Sequence, residues 1–373
     1  MIPILTADRH YNYHYFTNMT DEAPKPHKRR VRYSGTHPRR FDQKYKELDP
    51  AKYAEQIEHI IAKGLTPAGT HRPICVDEIL AILAPKPGET AFDATLGYGG
   101  HTRKLLEKLL PGGRLFAVDV DTVEMPKTEA RLRAEGYGPD VLVIRKMNYA
   151  GIMGLLGEAG GGFDCILADL GVSSMQLDNP ERGFTYKADG PLDLRLNPER
   201  GASAAEFLKN VTQEKLAAIL ESNADEPHAA LIAAAVKEAQ NSKPVKTTAD
   251  LAAAIKAGLA KAKPKLSDED VKASLQRSFM ALRIEVNGEF SALDRFLEAL
   301  PWCLKPGGRA AILTFHSGED RRVKKAFFKG EEEGVYSSVS QTPARPSSAE
   351  RRSNPRSACA KLRWAVRSDK AAA

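Results

Sequence analysis

From His71 onward the chain alternates short apolar runs with amphipathic ones. "ICVDEILAIL" has apolar residues at helical spacing and predicts a helix, whereas "ETAFDATLG" is a compact apolar run that predicts a strand. "GHTRKLLEKLL" predicts a helix stopped by Pro111 and Gly112. "GRLFAVDVD" predicts a second strand, "EMPKTEARLRAEG" a helix, "VLVIRKM" a third strand and "FDCILADLG" a fourth. These strands are apolar along most of their length rather than at alternate positions, so both faces are expected to be covered. That is the pattern of a mostly parallel sheet with helices on both faces.

Near Asn179 the alternation stops. Segments such as "AAEFLKN", "EKLAAILES", "HAALIAAAVKEAQ" and "ADLAAAIKAGLAKA" predict an all-helical insertion reaching to about residue 282. The α/β texture resumes with the helix "EFSALDRFLEALPWCL", the turn "KPGG" and the strand "RAAILTF". The late run "ACAKLRWAV" predicts one more strand at a sheet edge. Four parts follow: an extension over 1–70, a first α/β part over 71–178, the helical insertion over 179–282 and a second α/β part over 283–373. The extension is polar, with a basic run "KPHKRRVRYSGTHPRRF" from Lys25 to Phe41 and a predicted helix "LDPAKYAEQIEHIIAKG" closed by Gly64.

Composition narrows the class. A chain of 373 residues with 42% hydrophobic content can bury a sizeable core. Its 55 basic against 48 acidic residues give a net charge of +7, which suits a polyanionic partner without establishing one. The cysteines, Cys75, Cys165, Cys303 and Cys359, are far apart and form no CxxC pair, so neither a disulfide framework nor a cysteine zinc site is expected. No apolar run has transmembrane length and no secretory signal is evident, so a cytoplasmic protein without a membrane partner is expected.

The stretch "DATLGYGGH" places Gly97, Gly99 and Gly100 in the turn between the first strand and the next helix, a common seat for a nucleotide-like ligand. The dinucleotide fingerprint wants a third glycine where Thr102 stands. The second strand ends in "VDVD", with Asp119 20 residues after Gly99, where a carboxylate can accept from a ribose diol. The missing third glycine and the additional Gly100 favour S-adenosylmethionine, which has no pyrophosphate to cradle. A tight turn with nothing bound is the plain alternative.

Five stretches together closely resemble the MraW/RsmH family: "HRPICVDEIL", "DATLGYGGHT", "FDCILADLGVSSMQLDNPERGFTYKADGPLDLRLNP", "LRIEVNGEF" and "GGRAAILTFHSGEDRRVK". The resemblance runs from about His71 to Arg367 and leaves out the first seventy residues. It implies a Rossmann-like class I methyltransferase with an inserted helical domain on the substrate side. It also implies S-adenosyl-L-methionine as cofactor and the N4 amino group of a cytosine in small-subunit ribosomal RNA, free or in an assembling subunit, as target. The cofactor residues it implies are Gly99, Gly100, His101, Asp119, Tyr149, Asp169 and Gln176. Tyr149 stands where the family often has phenylalanine to stack on adenine. Other departures are Leu96 and Tyr98 in the glycine loop, Met175 in place of a common proline, Met280 in place of glutamine, and Gly318 in place of an aliphatic residue.

Asp169 ends the fourth strand, where ligands of open α/β sheets bind. A cytosine amino group is a weak nucleophile, and an acceptor holding one N–H favours its attacking form. Asp169 is therefore the expected catalytic acceptor, with cofactor positioning as its other role; Ser173 and Ser174 are weaker candidates, since turn serines usually cap backbone groups. His316, Glu319 and Asp320 resemble a metal cluster but are read as a structural or RNA-facing turn, so no metal is expected. Arg321, Arg322, Lys324 and Lys325, after the fifth strand, are the expected RNA contacts; further basic clusters are Lys28 to Arg32 and Arg351, Arg352 and Arg356. Two other classes remain open: a nicotinamide-dependent oxidoreductase, and an RNA-binding assembly protein without turnover.

Overall fold

The computed structural model describes residues 73–369. The basic run from Lys25 and the expected helix from Leu48 to Gly64 lie outside the described residues. The strands β1 (Thr90–Asp93), β2 (Arg114–Asp119), β3 (Leu142–Lys146), β4 (Phe163–Asp169), β5 (Leu304–Thr314), β6 (Tyr336–Val339) and β7 (Lys361–Arg367) form one sheet. Its order is β3-β2-β1-β4-β5-β7-β6. The first five strands in that order are parallel, and β7 runs antiparallel to both β5 and β6.

The expected edge strand is therefore displaced. "KLRWAV" lies inside the sheet, pairing Ala310 with Ala365 on one side and Val339 with Ala365 on the other. The edge is β6, whose sequence "YSSV" gave no strand signal. Its two serines are not the β-branched and aromatic residues that mark strands.

Uniformly apolar strands require cover on both faces. On one face, Phe92, Phe116 and Phe163 are fully buried and their rings meet at 5.2 and 5.7 Å. They pack against Phe296 and Leu300 of α10 (Glu289–Cys303) and Phe327 of α11 (Ser317–Glu332). On the other face, α1 (Val76–Leu83), α2 (Gly100–Leu109) and α3 (Met125–Ala134) bury Ile79, Leu83, Leu105, Leu106 and Leu132. Each such side chain stabilises the fold by roughly 1.5–3 kcal/mol.

Between β4 and β5 the chain is helical: α4 (Ser174–Asp178), α5 (Ala204–Asn210), α6 (Gln213–Ala224), α7 (Ala229–Ser242), α8 (Thr248–Leu259) and α9 (Asp268–Asn287). Capping boxes start four of them, Ser173 with Gln176, Ser203 with Glu206, Thr247 with Asp250 and Ser267 with Asp270. They bury a core of their own, running in sequence from Phe184 to Leu282. Helix α9 continues through residue 282 without a break and carries Arg283 and Asn287 onward to the sheet edge. Among the described residues, no helix is long and apolar enough to cross a membrane.

Candidate active site

The strand order reverses between β1 and β4, and a cavity of about 890 Å³ opens there at the carboxyl ends of the strands. Buried Asp93, at the end of β1, accepts from the Thr95 amide at 3.0 Å and from the Thr102 hydroxyl at 2.7 Å, tying the glycine loop to the start of α2. The Gly97 peptide is held at both ends. Its amide donates to Asp119 Oδ2 at 2.8 Å, and its carbonyl accepts from the Thr128 hydroxyl at 2.7 Å.

The three glycines divide their work differently from the expectation. Gly97 has φ +47° and lines the cavity, and an added Cβ there would meet only the Thr95 carbonyl oxygen, at 3.8 Å. Gly99 has φ +72° and does not line the cavity; an added Cβ there would lie 3.0 Å from Leu132 of α3. An added Cβ at Gly100 would lie 2.5 Å from Pro73. Gly99 thus allows close packing against α3, Gly100 packs on Pro73 while still lining the cavity, and Gly97 lines it as well.

Asp119 lines the cavity at the end of β2. One oxygen accepts from Gly97 and the other from the Asp121 amide at 2.9 Å. Each oxygen retains a second acceptor site, which is what a vicinal diol needs. Burial pushes this carboxyl up to about 6, against the opposing pull of those backbone hydrogen bonds. Tyr149, just past β3, also lines the cavity, and its ring meets Phe296 edge-on at 5.2 Å.

Asp169 and His101 come together. His101 Nε2 lies 3.4 Å from Asp169 Oδ2, with the imidazole 8% and the carboxylate 28% exposed. His101 Nε2 and Asp169 Oδ1 are both buried and have no hydrogen-bond partner among the described residues. The two residues line the cavity, and the part-exposed Asp169 carboxylate is its accessible acceptor. The Asp169 amide donates to the Thr95 hydroxyl at 2.8 Å, so the end of β4 is tied to the glycine loop.

Gln176 reaches the cavity but is already engaged. Its Oε1 accepts from the Ser173 amide at 2.7 Å and its Nε2 donates to Asp121 at 2.6 Å. Asp121, 1% exposed, also accepts from Arg182 at 2.9 Å. This buried acid, the second of the "VDVD" pair, fastens the segment after β4 to the end of β2, and the sequence reading passed over it.

At the far wall, Arg283 makes a two-pronged ion pair with Glu289 at 2.8 and 2.9 Å. Burial pushes Glu319 up, but His316 and the Phe315 amide outweigh it and hold the carboxyl below its usual range. Glu289, His316 and Glu319 form a compact group, while Asp320 turns away to Lys361 at 2.7 Å and Arg363 at 2.6 Å. An added Cβ at Gly318 would lie 2.5 Å from Phe290, so the Phe290 ring fills the space of the family's usual aliphatic residue.

The basic residues after β5 lie on α11, outside this cavity. Arg321 pairs with Asp225 at 3.0 Å, and Arg322 pairs with Asp294 at 3.2 Å while its guanidinium lies 3.6 Å from the Phe290 ring centroid. Two of the four expected RNA contacts thus form part-exposed ion pairs with acids 96 and 28 positions away in sequence. Lys324 and Lys325 line a shallow groove with Phe328 and Lys329.

A parallel sheet in this order with an antiparallel strand near its edge, a glycine loop after β1 and an acid ending β2 define a class I S-adenosylmethionine-dependent methyltransferase. The residues present fit that cofactor: glycine backbone at Gly97, two acceptors on Asp119 and an aromatic edge at Tyr149. More narrowly, the chain belongs to the MraW methylase family, whose sequence pattern matches residues 68–368. The nicotinamide-dependent reading falls with that assignment. The chain is 54% identical to "Ribosomal RNA small subunit methyltransferase H 1" of Agathobacter rectalis, over 92% of this chain and 99% of that one. It is 51% identical to "Ribosomal RNA small subunit methyltransferase H 2" of Alkaliphilus metalliredigens, over 93% and 99%. It is 38% identical to "Ribosomal RNA small subunit methyltransferase H" of Rubrobacter xylanophilus, over 80% and 96%. Residues 71–373 are about 81% of the 373, so the 92% match reaches into the first seventy residues, beyond the limit set by the motifs.

Proposed function

We infer that this protein transfers the methyl group of S-adenosylmethionine to the N4 amino group of a cytosine in small-subunit ribosomal RNA, either free or within an assembling subunit. Family membership over most of the chain supports the reaction class. The observation that carries the local chemistry is the Asp169 carboxylate at the end of β4, 28% exposed in the cavity with buried His101 Nε2 3.4 Å behind it.

The cofactor supplies an electrophilic methyl group on a sulfonium. The chain's own residues do the rest. Asp119 accepts from the ribose diol while Gly97 and Asp121 hold its carboxylate in place. Asp169 accepts an N–H of the cytosine amino group, which localises the nitrogen lone pair, and takes the proton that N4 sheds as the new N–C bond forms. His101 holds Asp169 in orientation from inside the protein.

The test is methyl transfer from labelled S-adenosylmethionine to unmethylated small ribosomal subunits and to their naked RNA. Label released as N4-methylcytidine from either substrate supports the reading; an unlabelled product from both, with folded protein, contradicts it.

A further inference from the structure

The lining of the cavity falls into two groups by element. Gly97, Asp119 and Tyr149 stand at or just past the ends of β1, β2 and β3. On the other side of β4 in the strand order stand Phe315, just past β5, and the turn from Asn354 to Cys359.

Phe315 is tied closely to Asp169. In the parallel β4–β5 pair, Asp169 is opposite Leu313, so Phe315, two residues on, continues the same face of the sheet. An added Cβ at Gly171 would lie 3.8 Å from the Phe315 ring, which places that ring beside the chain just past Asp169. The Phe315 amide is fixed on Glu319 at 2.8 Å, yet the ring stays part-exposed in the cavity. The opposite wall is also fixed: Arg356 makes a two-pronged ion pair with Asp178 at 2.6 and 3.2 Å. On this turn, the part-buried side-chain amide of Asn354 lines the cavity and makes no hydrogen bond among the described residues.

Building on the methyl-transfer reading above, we propose that this second group seats the target cytosine, with Phe315 as its stacking platform and Asn354 as the reader of its N3 and O2 edge. A base taken out of a helix loses stacking, and an aromatic ring restores it without regard to sequence. Cytosine presents an N4 donor that a carboxylate accepts and two ring-edge acceptors that an amide N–H satisfies. With Asn354 on that edge, N4 points to the part-exposed carboxylate of Asp169. Uracil would present its O4 acceptor to the same carboxylate and be repelled.

The experiment compares wild type, Phe315→Leu, Phe315→Tyr and Asn354→Ala in single-turnover methylation of unmethylated small ribosomal subunits at saturating cofactor. Calorimetric S-adenosylmethionine affinity and thermal melts are measured alongside. Leucine keeps the apolar packing but cannot stack, so Phe315→Leu should slow methylation roughly 5- to 150-fold with cofactor affinity within about twofold of wild type, while Phe315→Tyr stays close to wild type. Asn354→Ala, in an exposed turn, should fall about fivefold or more with its melting point unchanged. Wild-type rates in both Phe315→Leu and Asn354→Ala overturn the subsite. So does a Phe315→Leu protein whose rate and cofactor affinity fall together, since the ring would then shape the cofactor site or the core. Wild-type protein that leaves the subunits unlabelled overturns the reaction itself and the subsite with it.

Discussion

Asp119 offers the sharpest perturbation. Its two oxygens already accept from the Gly97 and Asp121 amides at 2.8 and 2.9 Å, so alanine would leave two backbone donors unpaired as well as removing the ribose partner. Asparagine is milder: it keeps one acceptor oxygen, and the nitrogen that replaces the other leaves one backbone N–H unpaired rather than two. The part of the loss that the cofactor feels is one hydrogen bond to a charged group, about 1.5–3 kcal/mol or roughly 10- to 150-fold in S-adenosylmethionine affinity. The carboxyl also titrates in an accessible window, since burial pushes it up to about 6. Only the ionised form accepts from both hydroxyls, so affinity should fall about tenfold from pH 7 to pH 5 and be level above pH 7. Stability carries the opposite sign. A raised carboxyl favours the fold when protonated, so its contribution is full below the unfolded value of about 3.9 and is lost as pH rises through about 6. The assay is calorimetric titration of wild type and Asp119→Asn from pH 5 to 8, with melts to show that both are folded. Equal affinities, or a wild-type affinity flat across that range, would refute the ribose assignment.

Three further outcomes are expected. Asp169→Asn should reduce methyl transfer far more than cofactor affinity, and wild-type turnover at saturating cofactor would remove Asp169 from the chemistry. Asp121→Ala leaves the buried guanidinium of Arg182 without its acid and should cost about 3–5 kcal/mol in denaturant unfolding; a loss under 1 kcal/mol would show that the pair is not a fastening. Charge reversal at Lys324 and Lys325 should weaken RNA binding and flatten its dependence on salt while sparing cofactor affinity, and an unchanged salt slope would show that this groove meets only solvent.

What was legible in the sequence was local. The parallel strands announce themselves by unbroken apolar runs, and Asp119 and Asp169 by ending two of them, because a strand's end fixes where its last side chain stands. What was hidden depends on distant partners. Gln176 looks like a ligand residue until Asp121, 55 positions earlier, accepts its amide. Nothing local shows that Gly99 packs on Leu132, or that Gly100 packs on Pro73 while lining the cavity. Arg321 and Arg322 look like an open cationic face until the fold brings up Asp225 and Asp294. Strand β6 has too little apolar character to signal itself, and only its pairing with β7 makes it a strand. Phe315 was read as the last residue of an apolar strand run, and nothing local marks its ring as facing a cavity.

The central claim is that this chain methylates the exocyclic amine of a cytosine in small-subunit ribosomal RNA. Unmethylated small subunits are incubated with the purified protein and isotopically labelled S-adenosylmethionine, and the RNA is digested to nucleosides and analysed by mass spectrometry. The account predicts that the label appears as N4-methylcytidine at a single position, and that Asp169→Asn sharply reduces it. Label on a ring carbon, on a ribose oxygen or on another base, or no label with folded, cofactor-binding protein, would contradict it.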